Sequence, residues 1–199
     1  MGDERVRTMT RRAWVTTMLG ACAVVVAGCA PGRAATQNGR HTTVIIVRHA
    51  EKAAQPAADP PLTDAGKARA EALWETVKDA GVQAVITTQF ARTVETAEPT
   101  AIHLGIKSEV VAGGGADHAA RVAAAVRAGH AGQTVLVVGH SNTVPGIIAA
   151  LGAKEPAPIC DEAYDNFYVV TIDEAGKASV IHSRYGAPSP AAASCGGMR

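Results

Sequence analysis

Aromatic residues make up only 4% of the 199 residues, so Ala, Val, Ile and Leu must fill any core that the 47% hydrophobic fraction builds. A dominant charge is missing too. The formal net charge is +1, and without residues 1–28 the chain keeps 15 basic and 16 acidic residues, a balance that argues against nonspecific nucleic-acid binding. No Cys-x-x-Cys or His-Glu-x-x-His spacing occurs, which argues against a metal site, and no cofactor is expected. Gly113-Gly114-Gly115 lacks the Lys-Ser/Thr of a phosphate loop and reads as a turn. Gly139-His140-Ser141-Asn142-Thr143 has no glycine two residues beyond its serine, which excludes a nucleophile elbow. There is no internal repeat, and the length suits one domain with a substantial core.

The N-terminus carries a signal. Arg11-Arg12 precede an apolar stretch over 13–26, broken by Thr16, Thr17 and Gly20. It is shorter than the roughly 20 residues of a spanning helix, so residues 1–28 read as a cleaved targeting segment outside the fold. Val26-Ala27-Gly28-Cys29 resembles a bacterial lipobox, which implies a lipidated Cys29 anchoring the protein to a membrane, facing the periplasm or cell exterior. Thr10-Arg11-Arg12-Ala13-Trp14 also resembles a twin-arginine export signal, and an ordinary secretory signal with an incidental Cys29 is the alternative. Residues 29–41 then form a tether, 42–186 the domain, and 187–199 an Ala/Pro/Ser-rich tail. Once Cys22 leaves and Cys29 takes lipid, Cys160 and Cys195 remain. Outside the cytoplasm they form either one disulfide, worth about 3 to 4 kcal/mol on the chain-entropy model, or two separate thiols.

Apolar runs alternate with helical patterns along the domain. Strands are expected near 42–47, 84–88, 107–111 and 134–138, and alternating strands near 166–172 and 178–183, joined by a turn at Glu174-Ala175-Gly176-Lys177. Helices are expected over about 63–80, capped by Thr63 and stopped at Gly81, and over about 91–104, 117–128 and 143–151, the last with Pro145 in its first turn. This order predicts a three-layer αβα sandwich with a mainly parallel central sheet.

Three strand ends carry reactive groups. Val44-Ile45-Ile46-Val47 runs into Arg48-His49-Ala50-Glu51, the run over 134–138 into Gly139-His140-Ser141-Asn142, and the run over 84–88 towards Arg92. Open parallel sheets bind ligands at the carboxyl ends of their strands, so Arg48, His49, Arg92 and His140 should gather at one edge. Two guanidiniums and two imidazoles there suit a tetrahedral oxyanion.

Arg48-His49-Ala50-Glu51, Leu62-Thr63-Asp64-Ala65-Gly66, Arg92 and Gly139-His140-Ser141, in that order, resemble the histidine phosphatase superfamily with its phosphoglycerate mutase-like fold. The resemblance spans roughly 43–186. It implies that His49 is the nucleophile and that Arg48, Arg92 and His140 hold a phosphoryl group. The chemistry supports these roles independently, because a neutral imidazole has a lone pair that can accept phosphorus. A carbonyl or side chain should fix its other nitrogen as N–H, while Arg48, Arg92 and a protonated His140 neutralise the equatorial oxygens.

The proton donor is open. Mutases carry a glutamate in a longer segment after the second arginine, where this chain offers Glu109 and Asp117. Asp117 reads equally as a pocket acid and as an N-cap, and Glu51 as an alternative acid or a residue orienting His49. Lys52 lines the pocket or faces solvent. His103, His118, His130 and His182 read as satisfied or surface histidines, and Arg121 and Arg127 as a solvated helix face. Two functions are expected: a lipid-anchored phosphohydrolase acting on a phosphorylated small molecule or phosphoprotein, or a lipoprotein that binds a phosphorylated ligand without turnover. A mutase is disfavoured, since the segments between motifs are too short to shield phosphohistidine from water. Loops over 53–61, 112–118 and 152–166 would set specificity.

Overall fold

In the computed structural model the described residues are 41–190. The targeting segment, Cys29 and Cys195 lie outside them. The elements run β1 (Thr42–Arg48), α1 (Asp64–Val77), β2 (Val82–Thr87), α2 (Ala91–Leu104), β3 (Glu109–Val110), α3 (His118–Gly129), β4 (Thr134–Gly139), α4 (Val144–Ala150), β5 (Asn166–Ile172) and β6 (Ala178–Arg184). The sheet order is β3-β2-β4-β1-β5-β6. β3, β2, β4 and β1 are parallel, and β5 and β6 add an antiparallel hairpin beside β1.

The expected sandwich is thus what forms, and its layers explain the apolar runs. A parallel strand covered on both faces buries every side chain. Val44 and Ile46 of β1 join Val135 and Val137 of β4 beneath α3 and α4, where Val122, Val126, Ile147 and Ile148 close one core. Ile45, Val47, Leu136 and Val138 point the other way, onto Leu73 and Val77 of α1 and Ala97 of α2. Each fully buried aliphatic side chain contributes about 1.5–3 kcal/mol, which compensates for the scarcity of aromatics.

Two boundaries move from the sequence reading. α1 ends at Val77 rather than near residue 80, because the chain leaves through a turn in which the Ala80 N–H donates to the Val77 carbonyl. Gly81 follows with φ +68°, a left-handed conformation suited to glycine. β3 shrinks to two exposed residues at the sheet edge, since it pairs with β2 alone.

The Leu62 to Gly66 motif locks α1 onto the loop after β1. Thr63 caps the helix by accepting from the Gly66 N–H at 3.1 Å, and the Thr63 N–H donates to the Glu51 carbonyl at 2.9 Å. A Cβ on Gly66 would collide with that same Glu51 carbonyl oxygen.

Candidate active site

The strand register brings the two histidines together. Arg48 of β1 pairs with Gly139 of β4, and one step on the His49 N–H donates to the Gly139 carbonyl at 2.9 Å. The rings of His49 and His140 then meet edge to face, 5.3 Å between centroids. With Arg48, Lys52, Phe90, Arg92, Ser141 and Asp161, among others, they line an open cleft of about 450 Å³. Gly114 and Gly115 complete its wall in left-handed conformations, φ +98° and +77°, so the glycine turn borders the site.

His49 is 3% exposed, and its Nδ1 lies 2.8 Å from the Ala50 carbonyl oxygen. A carbonyl only accepts, so Nδ1 carries the proton and Nε2 keeps its lone pair. Burial, then the charges of Arg48, His140 and Arg92, lower its pKa to about 3, against the upward pull of the Ala50 bond. The ring is therefore neutral and nucleophilic at physiological pH. The carbonyl expected to fix its tautomer is that of Ala50, whose own N–H donates to Thr96 Oγ1 at 2.9 Å.

His140 departs from expectation. The reading from sequence has it protonated, but burial and the neighbouring Arg92, His118 and Arg48 lower its pKa to about 4, so the ligand-free ring is neutral. Its Nε2 lies 3.2 Å from Thr88 Oγ1, and a hydroxyl chain continues at 2.8 Å to Thr93 Oγ1, which donates to the Phe90 carbonyl at 2.8 Å. These buried hydroxyls hold the Nε2 edge of His140 in place. A second proton is what burial resists, and an incoming phosphate dianion would favour it.

The two guanidiniums are held differently. Arg48 Nη1 donates to the carbonyls of Cys160 at 2.9 Å and Asp161 at 2.6 Å, and its planar head lies 4.2 Å from the centroid of the Tyr164 ring. Arg92 lies over Phe90, with Nη1 3.7 Å from Asp59. Asp59 also accepts from the Ala91 N–H at 3.0 and 3.2 Å, satisfying a donor in the first turn of α2. In both arginines Nε is buried with no hydrogen-bond partner. Burial lowers both pKa values, so the site holds desolvated positive charge and two orphaned donors, which an anion would relieve.

The expected acids are placed elsewhere. Glu51 is taken by Arg69, whose Nε lies 3.0 Å from each carboxylate oxygen and whose Nη2 lies 2.7 Å from one. It thus braces the loop after β1, while the Ala50 carbonyl orients His49. Asp117 stands at the surface, its carboxylate 3.0 Å from Arg121 Nε, and makes no capping bond. Glu109 meets His130 at 3.1 Å on the sheet edge. Among the described residues the carboxylate in the cleft wall is Asp161, which the sequence reading left inside a specificity loop.

Cys160 is disulfide-bonded, and Cys195, its expected partner, lies outside the described residues. His118, expected to be satisfied or exposed, is 3% exposed with Nδ1 at 3.0 Å from the Ala112 carbonyl and Nε2 unpartnered. No described helix is long and apolar enough to cross a membrane, and no described group of three or more His, Cys, Asp or Glu residues is placed to hold a metal ion.

Residues 44–113 match the family model of the histidine phosphatase superfamily, branch 1. Among solved structures, the chain is similar to the protein histidine phosphatase SixA complexed with tungstate, at 26% identity over 71% of this chain and 96% of that one, TM-score 0.54. A SixA structure from Nakamurella multipartitia shares 28% identity over 74% and 96% of the two chains, TM-score 0.51. A mycobacterial glucosyl-3-phosphoglycerate phosphatase, 14% identical over 74% and 100%, TM-score 0.53, shares the fold. No curated protein matches the chain.

Proposed function

We propose, from the match of residues 44–113 to the histidine phosphatase superfamily and the likeness to a protein histidine phosphatase, that the chain is a member of that superfamily and a phosphohydrolase, a phosphomonoesterase or phosphoprotein phosphatase, that works through a phosphohistidine on His49. The observation carrying this reading is the neutral His49 ring, its proton fixed on Nδ1 by Ala50 and its Nε2 free beside two orphaned arginine donors. In the first step Nε2 attacks phosphorus as the bond to the leaving group breaks, and Arg48, Arg92 and His140 bind the equatorial oxygens. Water then attacks phosphorus from the opposite side, restoring the imidazole and releasing inorganic phosphate. The open cleft admits that water, which favours hydrolysis over mutase chemistry.

The same openness suits a phosphorylated side chain presented by another protein, and the likeness to a protein histidine phosphatase supports phosphoprotein substrates. We place the protein outside the cytoplasm, anchored to a membrane by lipid on Cys29. The disulfide at Cys160 supports an oxidising compartment.

Acid-labile phosphate trapped on His49 during turnover tests the reading. The His49→Ala variant should lose both the trapped phosphate and turnover while keeping its fold. Turnover in that variant refutes the mechanism. Binding of phosphorylated ligand by the wild type without turnover points instead to a lipoprotein that only captures its ligand.

A further inference from the structure

We propose that Asp161 is the acid that protonates the leaving atom, an assignment that rests on the phosphohydrolase reading and supplies the group that reading lacks. Four observations meet at this residue. Asp161 lines the cleft that holds His49, Arg48, Arg92 and His140. Its carboxylate spans two walls, accepting from the Ser141 hydroxyl at 3.4 Å and lying 3.9 Å from Arg48 Nη2. Its main chain is fixed by the 2.6 Å bond from Arg48 Nη1, and the preceding Cys160 is tied by a disulfide. Four other carboxylates are engaged by partners, Glu51 by Arg69, Asp117 by Arg121, Glu109 by His130, and Asp59 by Ala91 and Arg92, and Glu162 lines the adjoining cavity with Arg48 rather than the cleft that holds both histidines.

Arg48 thereby has two tasks. It faces the phosphoryl site, and it holds the loop that brings the acid to the outer side of the substrate. The Asp161 side chain is itself 70% exposed, reaching towards the part of the substrate that leaves. In the forward step the Nε2–P bond forms, the P–O bond to the leaving group breaks, and the Asp161 proton passes to the departing oxygen, giving an alcohol. In the second step the Asp161 carboxylate takes a proton from water as the water oxygen bonds phosphorus and the N–P bond breaks. Both groups return to their starting states.

Leaving groups of different basicity test the assignment on the full chain. An aryl phosphate such as p-nitrophenyl phosphate expels a stable phenolate and needs little protonation, whereas glycerol 2-phosphate expels an alkoxide and depends on it. In Asp161→Asn, kcat/KM for the alkyl ester should fall about 10²- to 10³-fold and that for the aryl ester less than about tenfold. Equal losses on both esters, or none on the alkyl ester, overturn the assignment. A wild type that cleaves only the aryl ester also overturns it, while leaving the phosphohydrolase reading intact. Failure to cleave either ester, with no acid-labile phosphate trapped on His49 from a phosphoprotein, removes that reading itself.

Discussion

Lowering the pH loads protons onto unfolded histidines that the folded protein refuses at two positions, so acid sensitivity measures how firmly the site holds its rings neutral. The folded pKa values are about 3 for His49 and about 4 for His140, both down from 6.5 through burial and neighbouring positive charge. Each folded value lies below the unfolded one, so the associated stability is complete above pH 6.5 and is lost as pH falls towards the folded value. Between about pH 7.5 and about pH 5.5 each site accounts for about 1.4 kcal/mol, because the unfolded ring goes from about one-tenth to about nine-tenths protonated while the folded ring stays neutral. Together they cost about 3 kcal/mol, a large part of an ordinary domain's stability. Urea unfolding of wild type and His49→Asn at both pH values reads this directly. Asparagine keeps an N–H donor for the Ala50 carbonyl and removes the titrating ring. The wild type should lose about 1.4 kcal/mol more than the variant, the other histidines cancelling in the difference. Equal losses would mean that His49 titrates alike in both states, and the argument for a neutral nucleophile would fail.

Two further substitutions probe the scaffold. Gly66→Ala drives a Cβ into the Glu51 carbonyl and should cost about 1–3 kcal/mol in urea unfolding, and an unchanged midpoint would mean that α1 shifts freely against the loop after β1. Asp59→Ala removes an acceptor from the first turn of α2 and the partner of Arg92. It should lower stability by about 1 kcal/mol and raise KM for a phosphate ester more than it lowers kcat, whereas an unaltered KM would show that Phe90 alone seats the guanidinium.

The gathering of Arg48, His49, Arg92 and His140 in one cleft was legible because it is written in strand ends. An apolar run broken by Arg48-His49, or by Gly139-His140, marks both a buried strand and the point where it meets solvent, and parallel pairing does the rest. The leaving-group side was not legible. Asp117 and Glu51 lie close in sequence to the motifs, yet Arg121 and Arg69 claim them; the first pair has the i,i+4 spacing of a helix face, whereas the second, eighteen residues apart onto a buried arginine, has no signature in the sequence. Asp161 reaches the cleft, and Tyr164 the Arg48 guanidinium, because Arg48 bonds main-chain carbonyls 112 and 113 residues away, contacts that depend on the folded loop rather than on side-chain identity. Thr88 and Thr93 were visible only as β-branched residues, although each is essentially inaccessible and together they hold the Nε2 edge of His140.

This division follows from what each part of the fold can tolerate. A one-residue slip between β1 and β4 would turn Ile46 and Val137 from one core to the other and separate His49 from His140, so the same packing that stabilises the sheet fixes the reacting pair. Over 152–165 that constraint is confined to single points, the buried Ala153, Ile159 and Asp165, the bonded Cys160 and the two carbonyls held by Arg48, and the exposed Asp161 side chain carries no packing load. On the proposed mechanism the chemistry of phosphorus is therefore anchored in the core, and the leaving group is met by a loop that borrows one of the core's own arginines to hold its place.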